Sequence, residues 1–192
     1  MKRDTFEQLE TCIRLGRESD AASLAALFGF LASGEWRVRF AAAVALGDRR
    51  PPEAVTPLIE LLKVEDAAPL FAQPHDMCGQ PAGCNSRMEA KLPPDLPPGT
   101  AEAWRRRGRL KQAACFALGA IGPAAAPALP FLQRYATDQK EDYAVRAAAC
   151  RALGLIGDPS SRATLEQATG DGEWCTSAEA RKALAAVSGR GN

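Results

Sequence analysis

His75, Cys78 and Cys84 lie close together in the stretch PHDMCGQPAGCNSRM, and they are the side chains with the plainest capacity for chemistry. With Asp76 as a fourth donor they spell a mixed metal site; without metal, the two thiols spell a disulfide or a redox pair. Structural zinc sites usually set paired cysteines about two to four residues apart. Here five residues, GQPAG, intervene, so ordinary loop thiols are the simpler reading. Metal or redox chemistry stays open as an alternative.

A second constellation joins Trp104 to Arg105, Arg106, Arg107, Arg109 and Lys111. Clustered guanidinium groups beside an aromatic ring are what phosphate clamping requires. On a helix, however, these residues spread over several faces, and the formal charge of the whole chain is only +1. Nucleic acid is therefore disfavoured as a partner. A third pattern sets an acid four residues before an arginine, Glu35 with Arg39 and Asp142 with Arg146. It reads as structure rather than catalysis, because acids favour a helix start. No phosphate-cradling glycine motif and no Ser/His/Asp grouping can be built, so no cofactor and no catalytic residue are expected.

The elements that would position these groups are repeats. Asp142 to Gly157, DYAVRAAACRALGLIG, has Arg146 eight residues before Gly154 and a small residue four before it. The same frame fits WRVRFAAAVALG, RLKQAACFALGAIG and, more faintly, FEQLETCIRLG; a fifth copy starts at Glu173. The glycines that close the first four fall at 16, 47, 119 and 154, giving steps of 31, 72 and 35, so one period holds an insertion. Behind each glycine a second amphipathic segment follows, with key leucines Leu27, Leu58, Leu129 and Leu165. A helix–turn–helix unit of this kind cannot bury its apolar face alone and must stack on its neighbours. The Leu-Gly pair is expected to end each first helix, glycine taking the left-handed conformation. Pro51, Pro52, Pro123 and Pro159 mark the starts of second helices.

The pattern acidic-x-Trp/Tyr-x-Val-Arg-x-Ala-Ala-x-x-x-Leu-Gly, carried by Glu35, Trp36, Val38, Arg39 and by Asp142, Tyr143, Val145, Arg146, resembles short HEAT-like repeats of the type also found in phycobilisome lyases. The resemblance implies an all-α, right-handed solenoid of about five stacked helix pairs. It also implies that second helices line the concave side, and that the repeated arginines tie neighbouring repeats together. Groove candidates are then Glu53, Thr56, Glu60, Lys63, Arg134, Arg162 and Gln167. The His-Glu pairs of HEAT-like hydroxylases are absent. The function implied is a non-catalytic scaffold for a protein or peptide; a bilin lyase-like or chaperone activity is the alternative from the same resemblance.

One domain is the simplest count for 192 residues that are 46% hydrophobic and 6% aromatic. From Asp66 to Gly99 the periodicity fails among many prolines, an irregular insertion within that domain. Cys12, Cys115 and Cys150 share the small-residue position of the repeat and read as buried packing groups. Trp36, Tyr143 and Trp174 share another position and read as packing between helices. No signal-peptide core opens the sequence, and no apolar run reaches the length of a membrane span. A cytoplasmic location is the expectation.

Overall fold

The structure, a computed structural model, describes residues 3–68, 97 and 100–189. His75, Cys78 and Cys84, and with them the metal and redox readings, lie outside the described residues. Among those residues there are nine α-helices and no strand. They are α1 (Arg3–Leu15), α2 (Ala21–Leu31), α3 (Trp36–Arg49), α4 (Val55–Ala67), α5 (Ala101–Ile121), α6 (Leu129–Thr137), α7 (Tyr143–Ile156), α8 (Arg162–Ala168) and α9 (Trp174–Gly189). Short 3-10 turns with proline in their first residues precede α4, α6 and α8. Odd-numbered helices form one layer, the A layer, and even-numbered helices the other, the B layer. This is four pairs and a ninth helix in the A position of a fifth, where about five pairs were expected.

Helix starts follow the sequence signals. The carboxylates of Asp20, Glu35 and Asp142 accept from backbone N–H groups of Ser23, Arg37 and Ala144, satisfying donors that the helix leaves unpaired. Thr100 precedes α5, but its hydroxyl donates to the Pro97 carbonyl at 2.6 Å and caps nothing.

Helix ends correct the reading of the repeat glycine. Gly47, Gly119 and Gly154 lie inside α3, α5 and α7, not at their ends. The left-handed residues are Gly157, which closes α7, and Arg50, which closes α3; Gly122 closes α5, also at positive φ. The repeat glycine instead permits contact. A methyl group on Gly154 would stand 2.7 Å from Ala183 Cα; on Gly119, 2.9 Å from Ala152 Cα; on Gly47, 3.1 Å from Ala117 Cα. Each glycine thus faces an alanine of the next A helix, backbone nearly on backbone.

Around this ladder sit the buried side chains of the repeat, Val38, Leu46, Leu110, Leu118, Val145 and Leu153, with Cys12, Cys115 and Cys150 fully enclosed as free thiols. Burial pushes the Cys12 thiol up to about 11 and the Cys150 thiol to about 12, so neither is a nucleophile at neutral pH. Arg181 takes the same position in α9 and is exposed, a polar finish to the outer side of the last A helix. The continuous helical stretch Ala101–Thr137 is long and apolar enough to cross a membrane by hydropathy alone. Its apolarity serves the core: α5 packs between α3 and α7, and Gly122, at positive φ, divides the stretch.

Successive A helices pack along much of their length, α1 on α3, α3 on α5, α5 on α7 and α7 on α9; successive B helices meet only sparsely. A two-layer stack with one layer more tightly spaced bends toward that layer. The A layer is therefore the inner side of the curve, the reverse of the arrangement expected from the resemblance.

Candidate functional site

The repeat's basic position, eight residues before the glycine, is the first thing the fold organises. Arg39 on α3 pairs with Glu65 of α4 at 3.0 Å and donates to the Ser33 carbonyl at 2.8 Å. Arg146 on α7, 5% exposed, makes two hydrogen bonds to Asp171, at 2.8 and 3.1 Å, and a third to the Glu141 carbonyl. Lys111 on α5, 3% exposed, lies 2.7 Å from Asp66 and 2.5 Å from Glu141. Asp66 also accepts from Tyr135 at 2.8 Å and pairs with Arg134. The acid–arginine pairs read from the sequence are thus re-partnered: Glu35 and Asp142 cap helices, and the arginines reach acids of other elements.

Burial pulls the Asp66 carboxyl up, but the hydrogen bonds from Lys111, Tyr135 and Arg134 outweigh it and hold it below the usual range. Asp171 is held low in the same way, burial opposed by Arg146, the Glu173 N–H and Gln139. Burial and the neighbouring carboxylate push the Tyr135 hydroxyl far up. Apart from the exposed Arg134, these groups are largely enclosed and mutually satisfied. They lock repeats together and offer no reacting atom to solvent.

Residues that do face solvent divide between the two layers. On the B layer, Glu53, Thr56, Glu60, Lys63, Arg134, Arg162 and Gln167 are all exposed. Four of them are held by ion pairs: Glu60 with Lys63 at 2.7 Å, Arg162 with Glu166 at 3.0 Å, and Arg134 with Asp66. Being on α4, α6 and α8, or for Glu53 on the 3-10 turn before α4, they line the outer, splayed side.

The A layer presents a different surface. Positions ten, seven and three before the repeat glycine, and one after it, lie on one side of a helix. They carry Phe6 and Ile13 on α1, Phe40 and Val44 on α3, Phe116 on α5 and Leu155 on α7. Five of these, Phe6, Ile13, Val44, Phe116 and Leu155, are exposed large hydrophobics; elsewhere among the described residues only Val64 and Trp174 are. Between α3, α5 and α7 this face sinks into a groove of about 390 Å³, with Phe40, Val44 and Phe116 in its wall and Arg50, Arg151 and Asp48 among its polar residues. The Arg151 guanidinium lies 5.8 Å from the centre of the Phe116 ring.

The aromatic position divides, and the basic run spreads over several faces of α5, as read. Trp36 and Tyr143 are half-buried, Trp36 between α3 and the Arg106 and Arg109 side chains of α5, whereas Trp174 is 77% exposed and departs from the packing role. Trp104 is buried. Arg106 pairs with Glu102 and Arg107 bonds the Ala68 carbonyl, while Arg109 lies 5.8 Å from the Trp36 ring. Among the described residues no group of three metal-ligating side chains converges.

Sequence reasoning missed Asp66, Tyr135 and Glu141 as a hub, and missed the A-layer face. The signal for the face was present: Phe40, Val44, Phe116 and Leu155 stand at variable positions of the repeat, where packing needs no large side chain.

Stacked helix pairs, close on one layer and open on the other, define an α-solenoid with an exposed inner face. The chain belongs to the HEAT-repeat family: the family described as HEAT repeats matches residues 4–70 and 105–185. Among solved structures, an engineered protein from a structural genomics consortium is similar at 19% identity and a TM-score of 0.45, over 88% of this chain and 64% of that one. This chain thus spans under two thirds of that protein's length. Human deoxyhypusine hydroxylase in complex with glycerol is similar at 21% identity and a TM-score of 0.40, over 95% of this chain and 79% of that one. No curated protein matches.

Proposed function

We propose that the protein is a non-catalytic scaffold that binds a segment of another protein along the inner, A-layer face. The observation that supports this reading is the gathering on that one face of five of the seven exposed large hydrophobics among the described residues. Apolar area of this kind costs solvation free energy, about 25 cal/mol per Å², until a partner covers it. The B layer lacks such a stripe, and its charges are largely neutralised within its own helices. The interior charge network supports the same reading from the other side, since it fixes the repeats without exposing a reacting group.

The reading is tested by pull-down with three proteins: the wild type, the double variant Val44→Asp/Phe116→Asp, and Glu60→Lys/Arg134→Glu. Both A-layer positions are solvent-exposed, so the fold should survive, as circular dichroism would verify. Partners retained by the wild type and by the B-layer variant, and lost from the A-layer variant, are the expected result. Partners that survive the A-layer change and are lost from the B-layer variant would move the binding surface back to Glu60 and Arg134.

A further inference from the structure

We infer that the inner face takes an acidic amphipathic helix of the partner protein, an inference that rests on the docking face proposed above. Three features of the face converge on that occupant: the repeat distance of its apolar anchors, the sign of its unpaired charges and the backbone strain at its rim.

Ile13, Val44 and Phe116 occupy one column, three residues before the repeat glycine, on three consecutive A helices. Packed helices lie about 8–10 Å apart. A ligand lying across them must therefore offer an apolar side chain about every 8–10 Å on one side. A helix does so with residues seven apart, since two turns rise about 10.5 Å. An extended strand repeats its facing side chains at about 6.6 Å and drifts out of register within two steps. Three anchors at that spacing call for a helix of about fifteen residues, and Leu155 on α7 continues the stripe by one step.

Charge selects the partner's sign. Arg109 and Arg151 stand on this face, Arg50 lines its groove, and none of the three forms a salt bridge among the described residues. Asp48 is the sole acid in the groove wall. Arg50 is also the one non-glycine residue at positive φ among the described residues, 57°, where the related position of α7 is Gly157. A side chain kept at a backbone conformation that favours glycine is a cost to the fold, and a guanidinium aimed at a ligand carboxylate accounts for it. Guanidinium groups bind carboxylates with two parallel hydrogen bonds, so aspartates or glutamates flanking the partner's apolar stripe would meet all three.

The experiment is a display selection from a library of helix-favouring eighteen-residue peptides, followed by fluorescence anisotropy of the enriched peptides against purified full-length variants. Enriched sequences should carry leucine, isoleucine or phenylalanine at i, i+3 or i+4, i+7 and i+14, flanked by aspartate and glutamate. The double variant Arg109→Glu/Arg151→Glu should weaken them about tenfold or more, and raised salt should weaken them as well. If the enriched peptides lack acidic residues, or bind Arg109→Glu/Arg151→Glu unchanged, the acidic helix is wrong. In that case loss of binding to Val44→Asp/Phe116→Asp still leaves the docking face standing. If nothing enriches, or if binding is indifferent to Val44→Asp/Phe116→Asp as well, both the helix and the face fall.

Discussion

The two layers of this solenoid solve the same packing problem in opposite ways. In the A layer, glycine of one helix meets alanine of the next and the backbones nearly touch. In the B layer, consecutive helices meet through few residues, and Gly29 in α2 has open space where a side chain would go. Small residues thus mean different things on the two sides. On one they set the spacing and the direction of curvature, and on the other they are loose positions that a larger residue would improve.

Lys111→Ala should give the largest effect on this contrast. It leaves the part-buried Glu141 without its cation and Asp66 with only Arg134 and Tyr135, at a cost of about 3 kcal/mol in denaturant unfolding. A loss well under 1 kcal/mol would show that the network does not hold the layers. Gly154→Ala comes next. Its methyl group would strike the Ala183 backbone, so an overpacking cost of about 1–3 kcal/mol is expected. Gly29→Ala, the same substitution in the other layer, should stabilise by about 0.5–1 kcal/mol. Equal signs for these two glycines would erase the distinction between the layers.

Acid should act through the carboxylates that tie the layers. Asp66 and Asp171 titrate below their usual value in the folded protein. The stability they contribute is therefore complete above the unfolded-state value near 4 and is lost as pH falls below it. The melting temperature should stay level from about pH 8 to 5 and drop below about 4; Asp171→Asn should flatten that drop. The smallest effect belongs to Arg50→Gly, which relieves the left-handed cap of α3 and should stabilise by up to about 1 kcal/mol. The same change should weaken ligand binding, a trade that a purely structural Arg50 would not show.

The architecture was legible because its signals repeat. An arginine or lysine eight residues before a glycine recurs at Arg39, Lys111 and Arg146, and the prolines announce the second helices. What misled was a shared spelling: a glycine that ends a helix and a glycine that admits a neighbouring backbone look alike. Gly154 and Gly157 show both uses three residues apart. The start of the insertion was set too early at Asp66, because a helix whose last turn carries charge reads as a loop. In fact α4 runs to Ala67, and Asp66 is anchored by Lys111, Arg134 and Tyr135. In α6, Leu129, the key leucine read for that segment, is only half-buried, whereas Ala125, Ala128, Leu132 and Tyr135 are buried; a 3-10 turn before the helix shifts the phase. The candidate face escaped notice because large apolar residues in a helix suggest core, and only the packing shows which of them the core leaves outside.

Spin-label distances measure the asymmetry directly. One label pair replaces Ile13 and Arg151, equivalent positions on α1 and α7; the other replaces Ala25 and Ala163, equivalent positions on α2 and α8, with Cys78, Cys84 and Cys175 changed to serine in both. The same number of repeats separates each pair. A shorter distance across the A layer than across the B layer is expected; an equal or longer one would place the apolar face on the outside of the curve and contradict the account.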